Sequence, residues 1–485
     1  MKINSKFMKK FYLLFFAFFL LTLPLFGGGE KETVKKEVVG PKEVKTEGVK
    51  LRIALVPGLT ELPPLEDCLK AAAAELGATI EVSYYSFDEL HDKLVVDYTG
   101  GNQVWDYVFV QSATRAEWFH SGLIYPIGKY IKENPELVNE DLVAMDDWFQ
   151  VSIDENTLDG VFTSFPLYVT GTALFYRKDL LSHPEEKANF KAKYGYELKV
   201  PETYSEFYDI AQFFTRKKGE KLAGKVLEAD FYGASHSNKP VNFLWFDFVN
   251  YLMAFGADNI YNEKTMRPTF NSPEAIAAGK FYVSLVPFLP PGHMTMASGA
   301  ATAMFAEGNV ALQIEFFGRG LLMSMNPEKS KVADKTGFAP NPSVPGTNRP
   351  HATIHTGNGV TLYSLSKNID AAYKVLELAM SPRIMKKVAM EKYLPYGWVI
   401  PRPSVLRAPD VVAKAPFLKE AAENLLDPNK NYFFFSPTLS EYPQCMDIAG
   451  TALSKALAGE VDVETAFNEA QRKLEELFRK AGYIK

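Results

Sequence analysis

The chain has 485 residues, with 53 Lys and Arg against 58 Asp and Glu, 47% hydrophobic residues and two cysteines. This is ordinary globular composition with length enough for at least two cores, which excludes intrinsic disorder, collagen and small disulfide scaffolds. The net charge of -5 gives no broad basic face for a phosphate backbone, so nucleic acid is not an expected partner.

The first ten residues carry Lys2, Lys6, Lys9 and Lys10 and run into sixteen uncharged residues, 11 to 26. A basic start followed by an apolar stretch too short for a transmembrane helix reads as an export signal over 1–29, either cleaved or kept as an N-terminal anchor. No cysteine follows the apolar run, so lipid anchoring through an N-terminal cysteine is not expected. Without those four lysines the balance is 49 against 58, a charge of -9. Residues 30–49 alternate charge and contain almost nothing that could pack, as in a solvated linker. Cys68 and Cys445 lie nearly four hundred residues apart; an exported protein permits their pairing, but two buried free thiols are the expectation.

In the body, LRIALV (51 to 56) predicts a buried strand, and the apolar repeat Leu65, Cys68, Leu69, Ala72, Ala73 and Leu76 predicts a helix stopped by Gly77. A strand over 79–86, a helix over 87–98 and a strand over 106–111 complete a β-α-β-α-β series, which predicts a doubly wound α/β sheet. Ligands of such sheets sit beyond the carboxyl ends of the strands, here after Val56 and Val110. DENTLDG (154 to 160) predicts a hairpin turn at Asp159 and Gly160 rather than a calcium loop. Thr203 with Glu206 predicts a capping box opening a helix through Phe214, and Ser272 with Pro273 opens another. Four prolines between Ala339 and Pro350 suit a stiff crossing between two lobes, and Ala466, Phe467, Ala470, Leu474 and Leu477 form one face of a C-terminal helix.

No phosphate-binding glycine loop, zinc-protease or nucleophile-elbow motif occurs. His351 and His355, across a strand-like ATI, read as polar or ligand-contacting histidines in preference to a metal pair. No metal and no cofactor is expected. Tyr84 and Tyr85 alternate across a strand and cannot both face one ferric ion.

Several segments in order resemble the bacterial extracellular solute-binding proteins of carbohydrate ABC transporters, the group that includes maltose-binding protein. They are WDYVFVQSATRAEWFHSGLIYPIGKYI (105 to 131), DGVFTSFPLYVTGTALFYRKDLL (159 to 181) with Arg177 where the family usually has Asn, and PETYSEFYDIAQFF with Tyr204 in place of Trp. FGADNIYNEKTMRPTFNSPEAIAAGKFY (255 to 282), MFAEGNVALQIEFFG (304 to 318) and HTGNGVTLYSLSKNIDAAYKVLELAMSP (355 to 382) follow, then a closing helix. The resemblance spans nearly the whole body. It implies a two-lobed periplasmic-binding-protein fold, each lobe a doubly wound sheet flanked by helices, with the N-terminal lobe over 50–168 plus 350–394 and the C-terminal lobe over 169–349 plus 395–485. It implies a monomer outside the cytoplasmic membrane that closes about a hinge on a sugar, oligosaccharide or polyol and hands it to membrane permease subunits. A sensor domain reporting to a membrane receptor and an exported carbohydrate-active enzyme are the competing readings.

A site for polyhydroxylated ligands needs amides, carboxylates, His or Arg for hydroxyl edges and aromatic planes for C–H faces. The loops after the first and third strands offer Thr60, Glu61, Gln111 and Ser112, and Ala113 stands where the maltose-binding relative has a polar contact. By the same resemblance the crossing offers Thr170, and the segment 232–248 offers His236, Asn238 and Trp245. EFFGRG offers Glu315, Phe317 and Arg319, HTGNG offers His355 and Asn358, and YGWVIPRPS offers Trp398 and Arg402, read as exposed. Trp118 fits either core or cleft wall.

Overall fold

Runs of branched apolar residues separated by amphipathic helices build two sheets, each covered by helices. The computed structural model describes residues 44–485 other than 58, 60, 61 and 241. The export signal and most of the charged linker therefore lie outside the described residues, as do Thr60 and Glu61.

In the first sheet, Lys50–Leu55 lies between Thr79–Tyr84 and Tyr107–Val110, parallel to both. Next to Tyr107–Val110 runs Gly359–Tyr363, antiparallel, which also pairs with Ile124–Tyr125 and Phe165–Pro166. The expected β-α-β-α-β series is thus present, with a late strand inserted antiparallel beside it. Helix Leu62–Glu75 buries the predicted stripe of Leu65, Cys68, Leu69, Ala72 and Ala73. The hairpin of Thr157–Leu158 and Val161–Phe162 turns at Asp159 and Gly160, with φ of 51° and 75°. That left-handed pair is what an Asp-Gly turn supplies.

The second sheet has the order Tyr232–Ser235, Val310–Phe316, Thr172–Arg177, Thr336–Ala339, with the first pair parallel and the others antiparallel. Helix Tyr204–Phe214 opens on the expected capping box, in which Glu206 N–H donates to the Thr203 hydroxyl and Thr203 N–H to the Glu206 carboxylate. Ser272 caps Pro273–Ser284 with a single bond, its hydroxyl accepting the Ala275 N–H at 3.2 Å. The C-terminal helices Tyr442–Leu457 and Val463–Lys480 pack in this second core.

Three segments join the sheets among the described residues: 167–171, 340–358 and 427–441. Thr353–Ile354 of the second pairs in parallel with Phe433–Phe434 of the third. Residues from Trp398 to Leu426 pack into the first core, although the family division places them in the C-terminal lobe. Cys68 is buried in the first core and Cys445 in the second, both as free thiols.

Candidate functional site

A cavity of about 1240 Å³ opens where the strand ends of the two sheets face each other. On the first lobe the chain leaves Tyr107–Val110 into a turn closed by Thr114 N–H donating to Gln111 O, 3.2 Å, and Gln111 to Thr114 line the cavity. Asn358 fixes this turn by accepting the Ser112 N–H on its side-chain oxygen at 3.2 Å. Behind the loop, Arg115 is buried and donates to Glu155 O at 2.7 Å, to the Glu155 carboxylate at 3.0 Å, to Asn156 and to Gly357 O. A charge-assisted clamp of this kind holds the loop rigid without facing a ligand.

Helix Arg115–His120 presents Glu117 and Trp118 to the cavity, and helix Phe87–Thr99 presents Leu90 and His91. His91 Nε2 lies 3.0 Å from both Glu117 oxygens, and its ring stacks on Trp118 with centroids 6.1 Å apart. Partial burial works against the charged imidazole, but the carboxylates of Glu117 and Asp92 together outweigh it and raise the pKa of His91 above its ordinary value.

On the second lobe, Phe243, Phe246, Asp247 and Asn250 recur at i, i+3, i+4 and i+7 on helix Asn242–Ala254 and all four line the cavity. The end of strand Val310–Phe316 contributes Ile314, Glu315 and Phe316, with Arg319 one turn on. Phe246 and Phe316 meet edge to face, 6.5 Å between centroids, and supply apolar planes. Glu315 accepts from the Thr302 hydroxyl at 2.6 Å and from Phe316 N–H at 2.7 Å. Asp247 accepts the Ser237 N–H at 2.7 Å. Burial raises the pKa of both carboxyls, that of Asp247 to about 8 with Glu315 nearby adding to the rise. Arg319 lines the cavity and makes no hydrogen bond or ion pair with a described residue, and its charge draws the Glu315 pKa down against the burial that raises it.

Of the residues expected from sequence, Gln111, Ser112, Thr170, Glu315, Arg319 and Asn358 line this cavity, together with Ala113 and Trp118. Seven others do not. His236 is buried, stacks on Tyr282 at 4.6 Å and bonds the Tyr251 hydroxyl at 2.9 Å, and burial lowers its pKa to about 3. Asn238 spans Tyr282 and His293 at 2.7 and 2.9 Å. Trp245 is wholly buried among Phe248 and Phe270 and donates to the Tyr442 hydroxyl at 2.8 Å. Phe317 is buried in the core, stacked on Phe175 and edge-on to Phe338, and it is Phe316 that lines the cavity. His355 is buried between Phe433 and Phe435, 3.9 Å from Glu155.

The expected exposure of Trp398 and Arg402 is corrected. Trp398 is 3% exposed and donates to Leu167 O at 2.8 Å, so it braces the first crossing from behind. Arg402 is 0% exposed and gives its guanidinium to three main-chain carbonyls. His351 has a left-handed backbone, φ 49°, and is tied to Asn341 O at 2.6 Å. Sequence reasoning missed His91, Glu117, Tyr168, Phe246, Asp247 and Asn250. The i, i+3, i+4, i+7 spacing of the last helix was the available signal for its members.

A model of the bacterial extracellular solute-binding protein family matches residues 63–386. Among solved structures, an ABC transporter solute-binding protein from Agrobacterium radiobacter in complex with ribitol is 24% identical with a TM-score of 0.71, covering 89% of this chain and 100% of that one. A solute-binding protein from Agrobacterium vitis with bound D-mannitol is 25% identical with a TM-score of 0.70, covering 90% and 100%. A protein of Sinorhizobium fredii named a probable amino-acid ABC transporter periplasmic-binding protein is 24% identical over 420 residues, 84% of this chain and 85% of its own length. Two sheets joined by three crossings around a lined cavity match the two-lobed binding-protein fold. With more than half of its length matched by the family model, the chain belongs to the bacterial extracellular solute-binding proteins.

Proposed function

We propose that the protein is the extracytoplasmic substrate-binding component of an ABC importer, capturing a sugar, oligosaccharide or polyol between its lobes and delivering it to membrane permease subunits. The carrying observation is the lining of the cavity: amides of Gln111, Asn250 and Asn358, hydroxyls of Thr170, Thr172 and Ser298, and carboxylates of Asp247 and Glu315, set beside Trp118, Phe246 and Phe316. Hydroxyl groups meet the first set and C–H faces the second. The relatives that hold ribitol and D-mannitol support the same class. The volume exceeds the roughly 300–1,000 Å³ of common ligand pockets, which leaves room for more than one sugar ring.

In this reading closure about the three crossings is favoured by ligand because only the closed form lets both walls touch it, and no covalent chemistry takes place. The first lobe takes in 395–426 as well as 50–168 and 350–394, and residues 1–29 direct export. A solute bearing a carboxylate is the second reading, favoured by Arg319, whose guanidinium reaches the cavity wall without a hydrogen-bonding partner among the described residues. Thermal-shift screening of the protein against polyols, sugars, sugar acids and amino acids tests both. A bound solute at 100 times its Kd adds about 2.7 kcal/mol. Stabilisation by polyols or neutral sugars supports the first reading, stabilisation by acids alone supports the second, and turnover of a solute without stabilisation would refute both.

A further inference from the structure

The polar groups at the base of the cavity are joined to the crossings by a connected set of hydrogen bonds. Asn250, the innermost cavity residue of its helix, is 0% exposed. Its side-chain oxygen accepts from the Thr172 hydroxyl at 2.7 Å and from Ile354 N–H at 3.0 Å, and its amide nitrogen donates back to Phe246 O at 2.9 Å. The Thr172 hydroxyl in turn accepts from the Asn341 amide at 2.7 Å. Thr353 accepts the Thr172 N–H on its hydroxyl at 2.7 Å and donates that hydroxyl to Thr172 O at 3.1 Å, while its own N–H goes to Tyr432 O at 3.0 Å. Between Thr172 and Thr353 the chains approach so closely that a Cβ on Gly171 would lie 2.6 Å from the Thr353 hydroxyl.

The two hydroxyls also lie 3.1 Å from each other, and the bonds reach all three crossings: Thr172 at the end of the first, Asn341, Thr353 and Ile354 in the second, Tyr432 in the third. Buried polar groups cannot lose such partners to water without cost, so this knot has one favoured geometry. Two of its members, Thr172 and Asn250, also form cavity wall. The geometry points to Asn250 and Thr353 as positioning residues that set the resting angle between the lobes and pass displacement of the ligand-bearing helix to the hinge. This rests on the reading of the cavity as a cleft that closes on solute.

Thr353 does not line the cavity, which separates positioning from ligand contact. Spin labels at Lys132→Cys on the first lobe and Lys187→Cys on the second, both exposed, report the interlobe distance in the full chain, since Cys68 and Cys445 are buried. Without solute, Thr353→Val shifts or broadens the distance distribution, and Thr353→Ser, which keeps the hydroxyl, restores it. With ribitol as probe, Thr353→Val changes Kd by about tenfold, the scale of one buried hydrogen bond. A Thr353→Val distribution that superimposes on the parent, whatever happens to Tm, overturns the assignment. Should Thr353→Val not fold, Asn341→Ala, also away from the cavity, is judged by the same distances. Failure of every solute to bind would count against the proposed function and leave the distance result to decide the hinge assignment.

Discussion

Replacing Arg402 by Met keeps an unbranched side chain of similar reach and removes the guanidinium. That group donates to Val143 O and Ala144 O at 2.9 Å and to Met380 O at 2.7 Å, and its carbon lies 3.4 Å from the Trp148 ring centroid. Three bonds from a charged donor at about 1.5 kcal/mol each, with about 1 kcal/mol for the ring contact, give a gross loss of about 5.5 kcal/mol. Burial opposes this by penalising the charge, and it draws the Arg402 pKa down to about 9. Removing the guanidinium leaves three buried carbonyls unpaired at about 1 kcal/mol each, so the net loss is about 3 kcal/mol, which at about 2–4 °C per kcal/mol for a lobe of roughly 150–250 residues unfolding as a unit lowers its Tm by about 6–12 °C. Calorimetry on the parent and Arg402→Met, with solute affinity measured well below either Tm, checks both halves: stability falls and Kd is unchanged. An unchanged Tm with a lost solute would refute the structural assignment and return Arg402 to the site.

Adjacent phenylalanines give a second contrast: Phe316→Ala weakens solute binding with little change in Tm, whereas Phe317→Ala, in the core, costs about 3–5 kcal/mol by denaturant titration. Asp247 provides a pH signature. Its carboxyl is raised to about 8 by burial first and by the Glu315 charge, so the stability its neutral form contributes is complete below the unfolded value near 4 and is lost as pH rises through about 8. Asp247→Asn, which still accepts the Ser237 N–H, removes that slope, worth at most about 6 kcal/mol across the window, and an identical pH profile for variant and parent would contradict the cause given. Burial raises both thiols, Cys445 to about 12, so an alkylating reagent modifies neither cysteine in the native protein and both after unfolding, as mass spectrometry reads directly.

The first sheet was legible because its strands are short and rich in branched or aromatic residues and its helices carry one clear stripe, and the capping box at Thr203 and the Asp-Gly turn have local chemistry that needs no tertiary context. Gln111 and Ser112 were legible for a related reason, since the loop after a parallel strand is where such sheets place ligands. Trp245 was misplaced because helix Asn242–Ala254 is mostly apolar; the polar pair Asp247 and Asn250 marks the 243–246–247–250 face as the one turned to the cavity, and Trp245 lies on the other. Phe316 and Phe317 differ by one residue at a strand end, and a shift of one reverses the side chain's face. Arg402 finds its partners at 143, 144 and 380, carbonyls that leave no mark on the sequence. His91 and Glu117 meet only because two helices, 26 residues apart in sequence at this pair, converge on one wall.

The central claim is that a solute held between the lobes draws them together and leaves unchanged. Small-angle X-ray scattering of the full chain, titrated with the solute that gives the largest thermal shift, measures that directly. The account predicts a radius of gyration that falls and saturates at one solute per chain. A radius that stays constant while the solute demonstrably binds would contradict it.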